Sequence, residues 1–198
     1  MRRLWDYRLP CIWVLASALS AGLFSVSSLP AQQPVRAGGE SLRLDLGMGQ
    51  SPPGAKVVIP ATLKVPDAVD VESVDINVTF SKKQVSFVEA KKGISSDAIN
   101  AEVTSAVKDD SSNPENSVLT VTIRATEKGT SIPNGHVANL TFKIDEKAPL
   151  KDMITLKNNS SGTNAKMPGQ LLEGMRGTDG EIIVDETALV FSCFFYMH

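Results

Sequence analysis

Few residues of this chain could carry acid–base or covalent chemistry. Between residues 40 and 185 there is a single histidine, His136, beside Asn134-Gly135 in what reads as a turn, and there is no cysteine. One histidine does not make a metal centre, which needs several ligands in a fixed geometry, nor a triad, which needs a nucleophile and an orienting partner. The serines have no G-x-S-x-G elbow and no accompanying His and Asp pattern. Carboxylates are plentiful, and a glycosidase needs only two at a set separation, but such enzymes usually add aromatic subsites, and this stretch has no Trp and no Tyr. Asp109, Asp110, Asn113 and Glu115 could gather oxygen ligands on one loop, yet their spacing fits no EF-hand and reads as a solvated acidic loop. Four Asn-x-Ser/Thr sequons, at Asn77, Asn139, Asn158 and Asn159, matter only in a host that glycosylates such sites. The expectation is a binding protein without catalytic residues, cofactor or metal.

The missing aromatics also bear on what is bound. Modules that grip polysaccharide stack sugar rings on exposed Trp or Tyr. The only rings here, Phe80, Phe87 and Phe142, sit where alternation points them inward. A carbohydrate-binding module therefore stands second, restricted to a hydrogen-bonding or loop-borne sugar site.

The elements that must position any binding surface read as strands. Leu42, Leu44 and Leu46 alternate with Arg43 and Asp45, and Pro52-Pro53-Gly54 then turns the chain. Residues 57–63 form a β-rich run whose Pro60 predicts an edge or a bulge. Val74, Ile76, Val78 and Phe80 alternate with Asp75, Asn77 and Thr79, the clearest half-buried strand. Further strands are expected at 85–88, ending before Gly93, at 99–107, and at 119–123, where Leu119, Val121 and Ile123 alternate with Thr120 and Thr122. Others follow at 137–144, after the turn Pro133-Asn134-Gly135, at 154–156 and at 181–184. Residues 158–164 read as a polar loop, and 147–152 and 169–175 as helix-tolerant. With no long amphipathic helix, nine short strands predict an all-β, antiparallel, jelly-roll-like β-sandwich.

Composition agrees with a globular domain. The chain has 198 residues, 42% hydrophobic and 21% charged, and 20 Lys+Arg against 22 Asp+Glu give a net charge of -2. Without a basic surplus, nucleic acid is excluded as the expected partner. Residues 1–31 read as a signal peptide, with Arg2, Arg3 and Arg8 before an apolar stretch too short for a membrane span, cleaved after Ala31 or, second, after Ala37. An uncleaved anchor is the alternative. Residues 32–39 read as a linker and 40–185 as the domain. Export to the medium, the cell surface or the periplasm is expected, with no membrane span in the mature body. Residues 186–198, with Phe191, Phe194, Phe195 and Cys193, fit no sandwich logic and read as a truncated or out-of-frame end.

In this order the strand signals resemble the cohesin family, the receptor half of the cohesin–dockerin pair. The resemblance rests on the first strand at 42–46, the turn Pro53-Gly54 and the Val-x-x-Pro run from Val57 to Pro60. It continues through the passage from Phe80-Ser81-Lys82 into Val85-Ser86-Phe87, the strand holding Leu140-Thr141-Phe142-Lys143, and the terminal Asp179-Gly180-Glu181-Ile182-Ile183-Val184. Phe80 stands where Tyr is common in the family, and Ser81-Lys82 replaces Asp-Pro, so the class of partner stays open. The resemblance implies a non-catalytic module that binds a dockerin-like partner, such as one on a polysaccharide-degrading enzyme, through one sheet face. Ser73 and Asp75 stand where that family places contact residues, and Asn77 and Thr79 extend the same outward row. The chain carries no duplicated Ca-loop of its own.

Overall fold

The computed structural model of the chain describes residues 41–167 and 169–186. The expected signal peptide, the linker at 32–39 and the tail beyond 186 lie outside the described residues. Twelve strands and one short helix follow one another: β1 (Arg43–Leu46), β2 (Met48–Ser51), β3 (Lys56–Lys64), β4 (Val71–Ser81), β5 (Val85–Lys92), α1 (Ile94–Ala98), β6 (Glu102–Asp109), β7 (Asn116–Arg124), β8 (Gly135–Ile144), β9 (Met153–Asn158), β10 (Ser161–Asn164), β11 (Arg176–Thr178) and β12 (Gly180–Val184).

They form two sheets. The five-stranded sheet runs β11-β1-β3-β8-β5, and the seven-stranded sheet runs β2-β12-β9-β4-β7-β6, with β10 also on β4. The expected β-sandwich is present, and it has twelve strands instead of nine. The three additions are β2, β10 and β11. They are short and polar or Gly-containing, so no apolar alternation marks them; each exists because a distant partner supplies its hydrogen bonds. Residues 161–164, read as loop, pair with β4, and 176–178, where the sequence marks no element, pair with β1. Two pairings are parallel, β1 with β11 and β2 with β12, where the start of the domain meets its end. The rest are antiparallel.

Gly47 is where the first strand leaves one sheet for the other. Its N–H donates to the Pro60 carbonyl at 2.8 Å, and a Cβ there would lie 2.7 Å from the Pro60 ring. This corrects the edge placement of residues 57–63, since β3 lies between β1 and β8. Backbone N–H and C=O of one antiparallel residue point the same way, so the N–H that Pro60 lacks would face the point where β1 has already ended. The bulge that Pro60 also suggested occurs next to it, between Ala61 and Thr62. The strand expected at 99–107 starts later, at Glu102, after α1 and a turn through Asn100 at φ 49.

The core is the sum of the inward rows. Leu44, Ile59 and Leu63 of one sheet meet Val74, Ile76, Val78, Leu119, Val121 and Ile123 of the other, all fully buried. Phe80 packs edge-on against Phe142 of the other sheet at 5.4 Å, and Phe87 against Phe142 at 5.9 Å, so all three rings turn inward as expected. Each such pair contributes about 0.5–1.5 kcal/mol beyond area burial.

Asn158 closes one side. Its Nδ2 donates to the carbonyls of Leu44 at 3.0 Å and Thr178 at 3.1 Å, tying the end of β9 to the opposite sheet. β9 and β10 hold one register on β4, with Thr79 opposite Lys157, Val78 opposite Asn158 and Asp75 opposite Ser161. The Asn159 N–H reaches the Asn77 carbonyl at 2.9 Å across the nominal break. The two strands are thus one continuous border along β4, and β4 is held on both sides. Among the described residues no helix is long and apolar enough to cross a membrane.

Candidate partner-binding face

β4 is central in the seven-stranded sheet, and its inward row fixes the outward one. With Val74, Ile76, Val78 and Phe80 buried, Asp75, Asn77 and Thr79 project outward and are half-exposed. The register of β7 sets Thr122 opposite Asp75, Thr120 opposite Asn77 and Val118 opposite Thr79. Thr122 Oγ1 donates to Asp75 Oδ1 at 2.6 Å, and Thr120 Oγ1 donates to Asn77 Oδ1 at 2.8 Å. Asn77 Nδ2 in turn donates to the Asn159 carbonyl at 3.3 Å. β6 extends the rows with Thr104, Ala106 and Lys108.

Three of the four residues expected on this row stand on it together. Ser73 does not remain accessible: it is 2% exposed, and its hydroxyl is hydrogen-bonded to Thr163 Oγ1 at 2.7 Å. The physical reason is β10, which borders β4 at this point and places Thr163 opposite Ser73, with Arg124 opposite on the other side. A short serine between two longer neighbours is shielded by them.

Sequence reasoning missed the partners of the row. Thr120 and Thr122 were visible as the polar half of β7, but only the register puts each against Asp75 or Asn77. It also missed the apolar part of the face. Met153 on β9 is 57% exposed and lies beside Ile183 on β12, while Met48 on β2 is 68% exposed beside Glu181. Where β9 parts from β4, Thr79, Phe80, Met153, Thr155 and Lys157 line a hollow of about 270 Å³ that also touches Gln84 and Asn116. Gln84 Nε2 donates to Asp152 Oδ2 at 2.9 Å and holds one end of it. The face therefore combines a flat polar ladder with a mostly polar hollow at whose rim Met153 is exposed.

The residues with chemical potential elsewhere are occupied locally. His136 lies in β8, not in a turn, half-buried with Nε2 3.0 Å from Asn139 Oδ1. In the acidic loop, Lys82 pairs with Asp109 at 2.5 Å and Lys83 with Glu115 at 2.6 Å. The Ser112 hydroxyl and N–H both donate to Asp110 Oδ1, and they hold its carboxyl below the usual value. The Lys83 hydrogen bond and charge do the same for Glu115. Among the described residues no three His, Cys, Asp or Glu side chains come together as a metal site.

Comparison with known proteins gives this architecture a family. The family model for the cohesin domain matches residues 42–184. A search of curated protein sequences returns no match. Among solved structures, the chain is similar to the third cohesin of ScaC from Acetivibrio cellulolyticus, solved in complex with the ScaB dockerin. Identity is 20% over 73% of this chain and 99% of that one, with a TM-score of 0.57. The seventh ScaB type I cohesin from Pseudobacteroides cellulosolvens aligns over 80% of this chain and 98% of its own, at 17% identity and a TM-score of 0.54. A non-cellulosomal cohesin from the archaeon Archaeoglobus fulgidus aligns over 73% and 91%, at 11% identity and a TM-score of 0.52. At these identities the solved structures speak for the fold, and the family model carries the assignment: this chain belongs to the cohesin domain family.

Proposed function

We propose that the chain is a non-catalytic receptor acting outside the cytoplasm, and that it captures a dockerin-type module of another protein on the outer face of the seven-stranded sheet. The observation that carries this reading is the ladder of short, mutually hydrogen-bonded side chains, Asp75–Thr122 and Asn77–Thr120, beside a hollow where Met153 is exposed. Short side chains already held by neighbours lose little rotamer freedom when a partner docks. One hydrogen bond to Oδ1 leaves most of the Asp75 carboxylate free to accept donors from a partner, and a carboxylate accepts the stronger, charge-assisted bonds. Beside it the exposed Met153 side chain offers one apolar contact at the rim of the hollow. The solved ScaC cohesin was captured with a dockerin, which supports the same class of partner here. The Arg-flanked apolar segment at the chain's start supports export.

A pull-down tests it, with the chain as bait and the extracellular proteins of the producing organism as prey, beside a pelleting assay on insoluble polysaccharide. Recovery of proteins sharing a duplicated Ca-loop module is the expected result. Co-pelleting with polysaccharide and no protein recovered would overturn the reading in favour of a sugar-binding module.

A further inference from the structure

β6 ends the seven-stranded sheet, and among the described residues nothing pairs with its outer edge. Edge strands are normally blunted by Pro, by a bulge, by extreme shortness or by charged side chains. β6 has charges only near its ends, Glu102, Lys108 and Asp109, and none of the other devices. It is eight residues long, lacks proline, pairs with β7 without a register shift, and is exposed at every position but Val103. Its sequence, Glu-Val-Thr-Ser-Ala-Val-Lys-Asp, is complementary to itself when run antiparallel about Ser105. In that register Glu102 faces Lys108 of a second copy, Val103 faces Val107, Thr104 faces Ala106, and each contact occurs twice. Glu102 and Lys108 both point to the outer face, and neither is ion-paired among the described residues.

We propose that β6 pairs with β6 of a second copy, forming a two-fold dimer through one continuous sheet. A two-fold interface requires a self-complementary patch, and the two reciprocal Glu102–Lys108 pairs with the two Val103–Val107 pairs supply it. The dyad of an antiparallel pair stands perpendicular to the sheet, so both copies present their outer faces on the same side. If the partner-binding reading above holds, the dimer is a bivalent receptor, gaining avidity without new contacts; the pairing itself does not depend on that reading.

Sedimentation velocity of the full chain, with a reductant present so that neither cysteine links copies, tests the proposal. A strand-edge interface is small, so the expected dissociation constant is on the order of 10–100 µM. Lys108→Glu sets like charges opposite each other twice and should weaken the dimer about ten- to thirty-fold. The double variant Glu102→Lys/Lys108→Glu restores opposite charges and should restore dimerisation. A chain that stays monomeric well above that range overturns the proposal and leaves the edge to a strand from another partner. A dimer indifferent to Lys108→Glu, or one the double variant fails to rescue, overturns it equally. None of these readouts involves partner capture, so failure here is separable from failure of the receptor reading.

Discussion

The two outer faces of the sandwich share strand geometry and differ in their side chains. On the five-stranded sheet stand Arg43, Lys56, Lys64, Lys91, Lys143 and Arg176, long cations of which four lean on Asp45, Glu89 or Glu146 at 2.9–3.5 Å. On the seven-stranded sheet the middle strip along β4 and β7 carries Asp75, Asn77, Thr120 and Thr122, short and cross-linked between strands at 2.6–2.8 Å, while the long charged side chains Glu102, Lys108, Arg124 and Lys157 stand around it. Exposed ion pairs contribute little, about 0–1 kcal/mol, and ordering a Lys or Arg costs up to about 2 kcal/mol of side-chain entropy. A surface of the first kind stays solvated and soluble. One of the second kind is largely ordered before anything binds, and a flat partner can use it. Residue type alone would have drawn attention to the charged face; preorganisation points to the other.

The contrast can be broken or sharpened experimentally. The largest expected effect is from Asp75→Lys, which removes the acceptor at the centre of the ladder and puts a long cation in its place. Capture should fall at least about 100-fold, as for truncation of a buried interfacial charge. The melting temperature should stay within about 2 °C, because a half-exposed surface position rarely costs more than about 0.5 kcal/mol. Asn158→Ala tests the border that holds β9 and the Met153 depression in place. Two carbonyls lose their donor, and a urea midpoint should report a loss of about 1–3 kcal/mol. Thr122→Val keeps shape but frees the Asp75 carboxylate to move; calorimetric titration with the captured partner should show affinity reduced about three- to ten-fold, the worth of one hydrogen bond.

Smaller effects belong to the charged face. Burial raises the Asp45 carboxyl, but the hydrogen bonds from Thr178 and Lys64 and the charges of Arg43 and Lys64 outweigh it and hold the group below its ordinary value of 3.8. The folded state therefore binds this proton less readily than the unfolded chain. The contribution is complete above the ordinary value and is lost as pH falls below it, through the lower folded value. Asp45→Asn should flatten the stability–pH curve in that acid window, by well under 1 kcal/mol because the site is partly solvated. Lys56→Glu, an exposed charge reversal opposite Lys143, should leave capture unchanged within about two-fold.

How much of this was legible depends on where each element gets its partners. β4, β7 and β8 could be read because Val74 to Phe80, Leu119 to Ile123 and Leu140 to Ile144 carry their own alternation, and the inward Phe80, Phe87 and Phe142 followed from it. β2, β10 and β11 could not, since Gly49, Gly162 and Gly177 have no side chain to show a face and their pairing is decided far away in the sequence. The same holds for the site. Alternation located Asp75, Asn77 and Thr79 on one row, but Ser73 obeyed that alternation and is still covered, because β10, whose residues read as a loop, borders β4 there. The threonines that orient the row lie more than 40 residues away, and only the β4–β7 register identifies them.

The central claim is that the β4 face, and not its opposite, receives the partner. The most direct test is side-by-side capture of one dockerin-bearing protein by the unchanged chain, Asp75→Lys and Lys56→Glu, each first shown by circular dichroism to be folded. The expected result is full capture by the unchanged chain and Lys56→Glu and none by Asp75→Lys. Capture that survives Asp75→Lys and is lost with Lys56→Glu would contradict it and move the binding surface to the five-stranded sheet.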